Sequence, residues 1–184
     1  VPYYRRDYDR FGQSPSAVAI IDTKTDQILR VLSTGPIPKY VVSSPDGRWT
    51  ALIHWGDNTV ALVDTSSDDP KDYKITSVIA VERQLSQVGF ENTDRDRACG
   101  LCLRGAIFSA DSKYLIVARM GTGGLAGIDV EKQKYLGSLM DVPKTPRHLV
   151  LKKSTQELFV TSNKSGYVSK VSMKYLIHQM RGLK

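Results

Sequence analysis

The chain is predicted to be all-β: part of a β-propeller of four-stranded antiparallel blades, with about three and a half blades present. Three observations predict this. Three stretches of the 184 residues align with one another. Their spacing gives a period in the forties, which suits one four-stranded blade. Each stretch breaks into short β-rich runs separated by turn residues, the pattern of a small antiparallel sheet.

The first repeat covers residues 39–54 and continues through 56–64; the second covers 104–119 and 121–129; the third covers 147–162 and 163–172. The opening of the chain supplies half of a fourth, in residues 17–22 and 27–32. Asp22 and Asp64 stand 42 residues apart, and Asp129 and Ser172 stand 43 apart. Asp64 and Asp129 are separated by 65, one period plus an insertion of about 22. The expected division is therefore a half blade over 1–35, a blade over 36–80, an insertion over 81–103, a blade over 104–142, and a last blade over 143–184.

Within the first full blade, Tyr40-Val41-Val42, Ala51-Leu52-Ile53 and Val60-Ala61-Leu62-Val63 are expected to be successive strands. They are nearly continuous apolar runs because a propeller sheet is packed on both faces by its neighbours. Ser44-Pro45-Asp46-Gly47 and Gly56-Asp57-Asn58 are the turns between them: Pro presets a turn φ, and Gly tolerates a positive one. Asp22, Asp64 and Asp129 recur at strand ends, where side-chain-to-backbone turn bonds explain them. Gly121-Thr122-Gly123-Gly124 falls at a strand-to-strand turn and offers no helix N-terminus to a phosphate. After the last repeat, Met173, Leu176, Ile177 and Met180 have the spacing of a short amphipathic helix.

The Ser-Pro-Asp-Gly turn, the strand Asn58-Thr-Val-Ala-Leu-Val-Asp64 and the strand Leu158-Phe-Val-Thr-Ser-Asn163 resemble the YVTN-repeat family of β-propellers. The resemblance covers roughly residues 17–172 apart from the insertion. That family groups surface-layer and secreted proteins of bacteria and archaea with the propellers of some nitrite reductases. It implies a ring of seven blades and an extracytoplasmic setting, in the periplasm or at the cell surface. The chain starts at Val1 without an initiator Met, and it is expected to be a piece of a longer propeller. The competing expectation is a subunit whose ring is closed by another chain.

Composition limits the partners. Net charge is +7 with a sequence pI near 9.4, a balance that favours acidic partners in general: nucleic acid, anionic lipid, a polysaccharide or other glycan, or an anionic ligand. The competing reading scatters Lys and Arg over solvated loops. No long Lys/Arg run occurs, which argues against nucleic acid. The longest apolar runs are four or five residues, far short of the roughly twenty needed for a transmembrane helix.

One constellation reaches beyond packing. Lys39, Arg104 and Arg147 occupy equivalent repeat positions, each opening the innermost strand of its blade, and His148 follows Arg147. Such strands line the central channel, so the repeat places three cations around one mouth of it. Converging cations in a restricted cleft can hold a carboxylate or phosphate. The competing reading pairs each with an acid or carbonyl of the next blade. A second equivalent set, His54-Trp55, Arg119-Met120 and Ser162-Asn163, falls where the second strand meets its loop. There His54 and Trp55 either contact a ligand or close the blade as buried groups.

Cys99-Gly-Leu-Cys102 is the sole cysteine pair. Leu103 follows it in place of His, which excludes c-type haem attachment, and no βαβ pattern supports thioredoxin-like chemistry. A local disulfide pinning the insertion and a pair of free thiols both remain open; the disulfide implies an oxidising compartment. The insertion, with Asp94-Arg95-Asp96-Arg97 alternating in charge, is either a lid over the channel or a solvated excursion. Tyr3-Tyr4-Arg5-Arg6-Asp7-Tyr8-Asp9-Arg10-Phe11 reads as an interaction loop between two strands. No nucleophile elbow, zinc-protease helix or phosphate loop is present, and three scattered His residues make no metal set. No catalytic residue, metal or cofactor is expected from the residues present, and the function expected is ligand or protein binding. The alternative is a cofactor-bearing or hydrolytic propeller, haem-binding or lactonase-like, whose site is completed elsewhere.

Overall fold

The computed structural model describes residues 1–3, 16–85 and 98–182. The strands among them form four antiparallel sheets that follow one another along the chain. The first holds β1 (Pro2–Tyr3), β2 (Ser16–Ile21) and β3 (Ile28–Thr34). The second holds β4 (Pro38–Ser43), β5 (Trp49–His54), β6 (Thr59–Asp64) and β7 (Lys74–Ala80). The third holds β8 (Leu103–Phe108), β9 (Tyr114–Arg119), β10 (Leu125–Asp129) and β11 (Lys134–Leu139), and the fourth β12 (Pro146–Lys152), β13 (Glu157–Ser162) and β14 (Tyr167–Ser172). A helix, α1 (Met173–Gly182), follows. Sheets of three, four, four and three strands are the partial propeller expected. β1 makes the opening sheet larger than a half blade, because Pro2 pairs with Val18 and Tyr3 with Ala17.

Alternation explains the unbroken apolar runs. In β5, Ala51 and Ile53 pack toward the third sheet while Leu52 packs toward the first. In β6, Val60 and Leu62 take the first direction, Ala61 and Val63 the second. β9 repeats this, with Leu115 and Val117 on one side and Ile116 and Ala118 on the other. Each fully buried Leu or Ile contributes about 1.5–3 kcal/mol by leaving water, so a central sheet is stabilised from both faces. The two end sheets have one face in solvent, where Ile28, Val31, Val150 and Val168 are exposed.

The turns carry the predicted chemistry. Ser44 Oγ donates to Asp46 and accepts the Trp49 amide at 2.9 Å, and Ser109 Oγ does the same with Asp111 and the Tyr114 amide at 3.0 Å. Asp22, Asp64 and Asp129 each accept a backbone amide two or three residues on. α1 buries Met173, Leu176 and Met180 against Ile116, Leu125 and Leu136. It covers the outer part of the third sheet, beside β10 and β11, while β12 covers the inner part. Gly127 lacks the Cβ that would strike the Met180 sulfur, so the helix seats closely there.

Candidate functional site

The innermost strands β4, β8 and β12 are successive neighbours, and each begins with the same irregularity. Pro38 pairs with His54 and Tyr40 with Ile53, leaving Lys39 as an extra residue. Pro146 pairs with Ser162 and His148 with Thr161, leaving Arg147. In β8 the pairing steps from Leu103–Arg119 to Ala106–Val117, so the extra residue falls at Arg104–Gly105. A bulge of this kind re-aims its side chain out of the sheet's alternation. The three cations therefore share a local backbone device as well as a repeat position.

The residue before each strand is left-handed: Ile37, Cys102 and Thr145 have φ of 51°, 50° and 62°. None is glycine, and each such conformation costs an L-residue roughly 1–2 kcal/mol. Their carbonyls accept the amides of Trp55 (3.0 Å), Met120 (3.2 Å) and Asn163 (3.1 Å). These acceptances join the second repeat set to the first, so both line one end of the blades.

Lys39 Nζ lies 5.0 Å from the Trp55 ring centroid, and Arg104 Cζ lies 5.7 Å from it. Two of the three cations, from adjacent blades, thus converge on one indole; such contacts contribute about 0.5–2 kcal/mol each. Trp55 is 6% exposed and packs with Ile37, Cys99, Cys102 and Met120. Cys99 and Cys102 form a disulfide, so the insertion's end is folded beneath the ring. Arg147 is half-buried, and its Nε is shielded from water with no hydrogen-bond partner among the described residues. His148 is exposed, and its amide donates to Thr161 Oγ1 at 3.1 Å.

His54 and Arg119 are buried inside the protein, His54 with both ring nitrogens bonded and Arg119 with its two Nη atoms bonded but its Nε shielded and unpartnered among the described residues. His54 is buried between two threonine hydroxyls, with Nε2 2.7 Å from Thr34 Oγ1 and Nδ1 2.7 Å from Thr59 Oγ1. Thr59 Oγ1 gives its proton to Asp57 at 2.7 Å. It must therefore accept from Nδ1–H, which leaves Nε2 to accept from Thr34. Burial pulls the His54 pKa down to about 3 and keeps the ring neutral. Arg119 is 4% exposed; its Nη1 pairs with Glu82 at 2.7 Å and its Nη2 donates to Thr122.

Sequence reasoning missed the anchor of the insertion. Asn58 Oδ1 accepts the Leu101 amide at 2.9 Å, and its Nδ2 donates to the Arg83 carbonyl. Gln84 Nε2 donates to Asp57 Oδ2, and the Leu85 amide to the Asp57 carbonyl. Two residues of the four-residue turn between β5 and β6 thus hold both ends of the excursion. The only signal was a turn-type Asp-Asn, which points to a local role. Asp94, Arg95, Asp96 and Arg97, and residues 4–11, lie outside the described residues. Among the described residues no group of three His, Cys, Asp or Glu could hold a metal.

No family model matches the chain, and no curated protein does. Solved structures do. Hydrazine synthase of Kuenenia stuttgartiensis is 18% identical with a TM-score of 0.66, over 86% of this chain and 40% of that one. A functionally unknown protein of Desulfotomaculum acetoxidans is 12% identical with a TM-score of 0.62, over 86% and 49%. A candidate 6-phosphogluconolactonase of Bacteroides fragilis is 15% identical with a TM-score of 0.57, over 85% and 47%. The chain is similar in fold to these proteins and spans less than half the length of each.

Proposed function

We propose that the chain is a non-catalytic binding segment of a β-propeller, with an anion site at the channel mouth formed by Lys39, Arg104 and Arg147. The carrying observation is the bulge cation repeated on three consecutive innermost strands. Arg147, whose Nε is shielded and unpartnered among the described residues, is the member best placed to gain a bond from a carboxylate or phosphate. The exposed outer faces of the two end sheets fit a ring completed by further blades, of the same protein or of another chain. The Cys99–Cys102 disulfide suits an oxidising, extracytoplasmic compartment. Among the described residues no helix is long and apolar enough to cross a membrane.

Titration calorimetry with citrate tests the site. Binding that weakens about tenfold in Arg147→Gln, and that falls as salt rises, is the expected outcome. Equal binding by that variant removes the site. The second reading, an enzyme or cofactor-bearing propeller completed by other blades, draws on two fold neighbours named for enzymes. Visible absorbance of the whole protein and lactone hydrolysis by it are the measurements that would favour it.

A further inference from the structure

We infer that a second site, for an amphipathic organic anion, lies at the opposite end of the blades, in a groove between α1 and the β8–β9 turn. The groove is open to solvent and measures about 880 Å³, within the volume range of pockets that hold small organic ligands. Its apolar floor is made by Tyr114, Met173 and Ile177. Along its helical wall stand Lys174, His178 and Arg181, spaced i, i+4 and i+7 and so aligned on one side of α1.

Two features separate this row from an ordinary solvated helix face. Lys174 and Arg181 are in no ion pair among the described residues. The acid across the groove, Asp111, is committed to its own turn, accepting Ser109 Oγ at 2.6 Å and the Lys113 amide at 3.2 Å. Asp111 keeps its charge, but Lys174 and Arg181 outnumber it, so the lining is net positive beside an apolar floor. A small inorganic ion would leave that floor wet, and a neutral apolar molecule would leave the cations unused. A single carboxylate or phosphate on an apolar chain or ring satisfies both. The turn at Ser109–Asp111 closes β8 at the end away from Arg104, so this site is independent of the proposed channel-mouth site.

The test is titration calorimetry of the whole chain with dodecanoate below its micellar concentration, with acetate as the head-group control. Saturable dodecanoate binding, acetate binding too weak to detect, and a loss of about tenfold or more in Lys174→Gln/Arg181→Gln are expected. Ile177→Asn should weaken dodecanoate similarly. Val150→Lys/Val168→Lys, on the exposed face of the fourth sheet, should leave binding unchanged. Circular dichroism of each variant checks that α1 persists. Dodecanoate binding that is absent, or unaltered by the α1 variants, or abolished by the Val150/Val168 variant, overturns the inference. So does binding to phosphatidylglycerol vesicles without binding of monomeric dodecanoate, which would assign the cations to a membrane surface. Citrate binding lost in Arg147→Gln but kept in the α1 variants keeps the two sites distinguishable.

Discussion

Asn58 Oδ1 accepts the backbone amide of Leu101 at 2.9 Å across 43 positions of sequence. This bond, with the donation from Asn58 Nδ2 to Arg83, makes one side chain the clasp of an excursion that begins and ends beside the candidate channel mouth. Asn58 is itself left-handed, with φ of 63°, which Asn tolerates better than most residues.

Replacing the clasp while sparing the backbone isolates its value. Asn58→Gly should lose about 1–3 kcal/mol, the cost of leaving buried partners unsatisfied. Asn58→Ala should lose roughly 1 kcal/mol more, for the left-handed conformation. Hydrogen exchange at the Leu101 amide reads the effect directly. Unchanged protection in Asn58→Gly would show that the excursion is held by other contacts.

His54 makes stability pH-dependent. Its folded pKa is about 3 against the usual 6.5, so the folded state resists a proton that the unfolded chain accepts. Above pH 6.5 the ring is neutral in both states and the effect vanishes. Below that, stability falls on the order of 1 kcal/mol per pH unit until the folded pKa is reached. Urea midpoints measured from pH 7 to pH 4 should drop for the native chain and stay flatter for His54→Gln. Parallel curves would show that other groups dominate acid sensitivity.

Arg119 is buried with one carboxylate, Glu82, at 2.7 Å. Removing that charge strands a guanidinium inside the protein, yet Glu82 is itself about half exposed, so water screens part of the loss. Glu82→Gln should cost about 1–3 kcal/mol, below the figure for a fully buried pair. Arg119→Met/Glu82→Gln should recover part of this, since a thioether fills the space beside Met140 without a charge. A thermal-unfolding double-mutant cycle with no coupling would reduce the pair to a surface contact.

Two glycines separate rigid from yielding packing. A Cβ at Gly105 would strike the Arg147 carbonyl oxygen, whereas one at Gly127 would strike the flexible end of Met180. Gly105→Ala forces β8 and β12 apart and should cost more than about 2 kcal/mol. Gly127→Ala should cost less, and Met180→Leu should relieve some of it. Denaturant midpoints that rank the two variants the other way would contradict this packing of the innermost strands.

The sequence alone determined the repeat, the strand runs, the Asp-marked turns and the equivalence of Lys39, Arg104 and Arg147. All of these are local or periodic, so they survive without knowledge of which blade touches which. Tertiary structure decided what each residue meets. It drew Lys39 and Arg104 onto one Trp55 ring, sealed His54 between Thr34 and Thr59, and set α1 over the outer third sheet. It also gave Asn58, legible only as a turn residue, a partner 43 positions away. The physical reason is that strand propensity and turn chemistry act over a few residues. Burial and pairing depend on stacking segments a full blade apart, whose relative placement follows from filling both faces of each sheet at once.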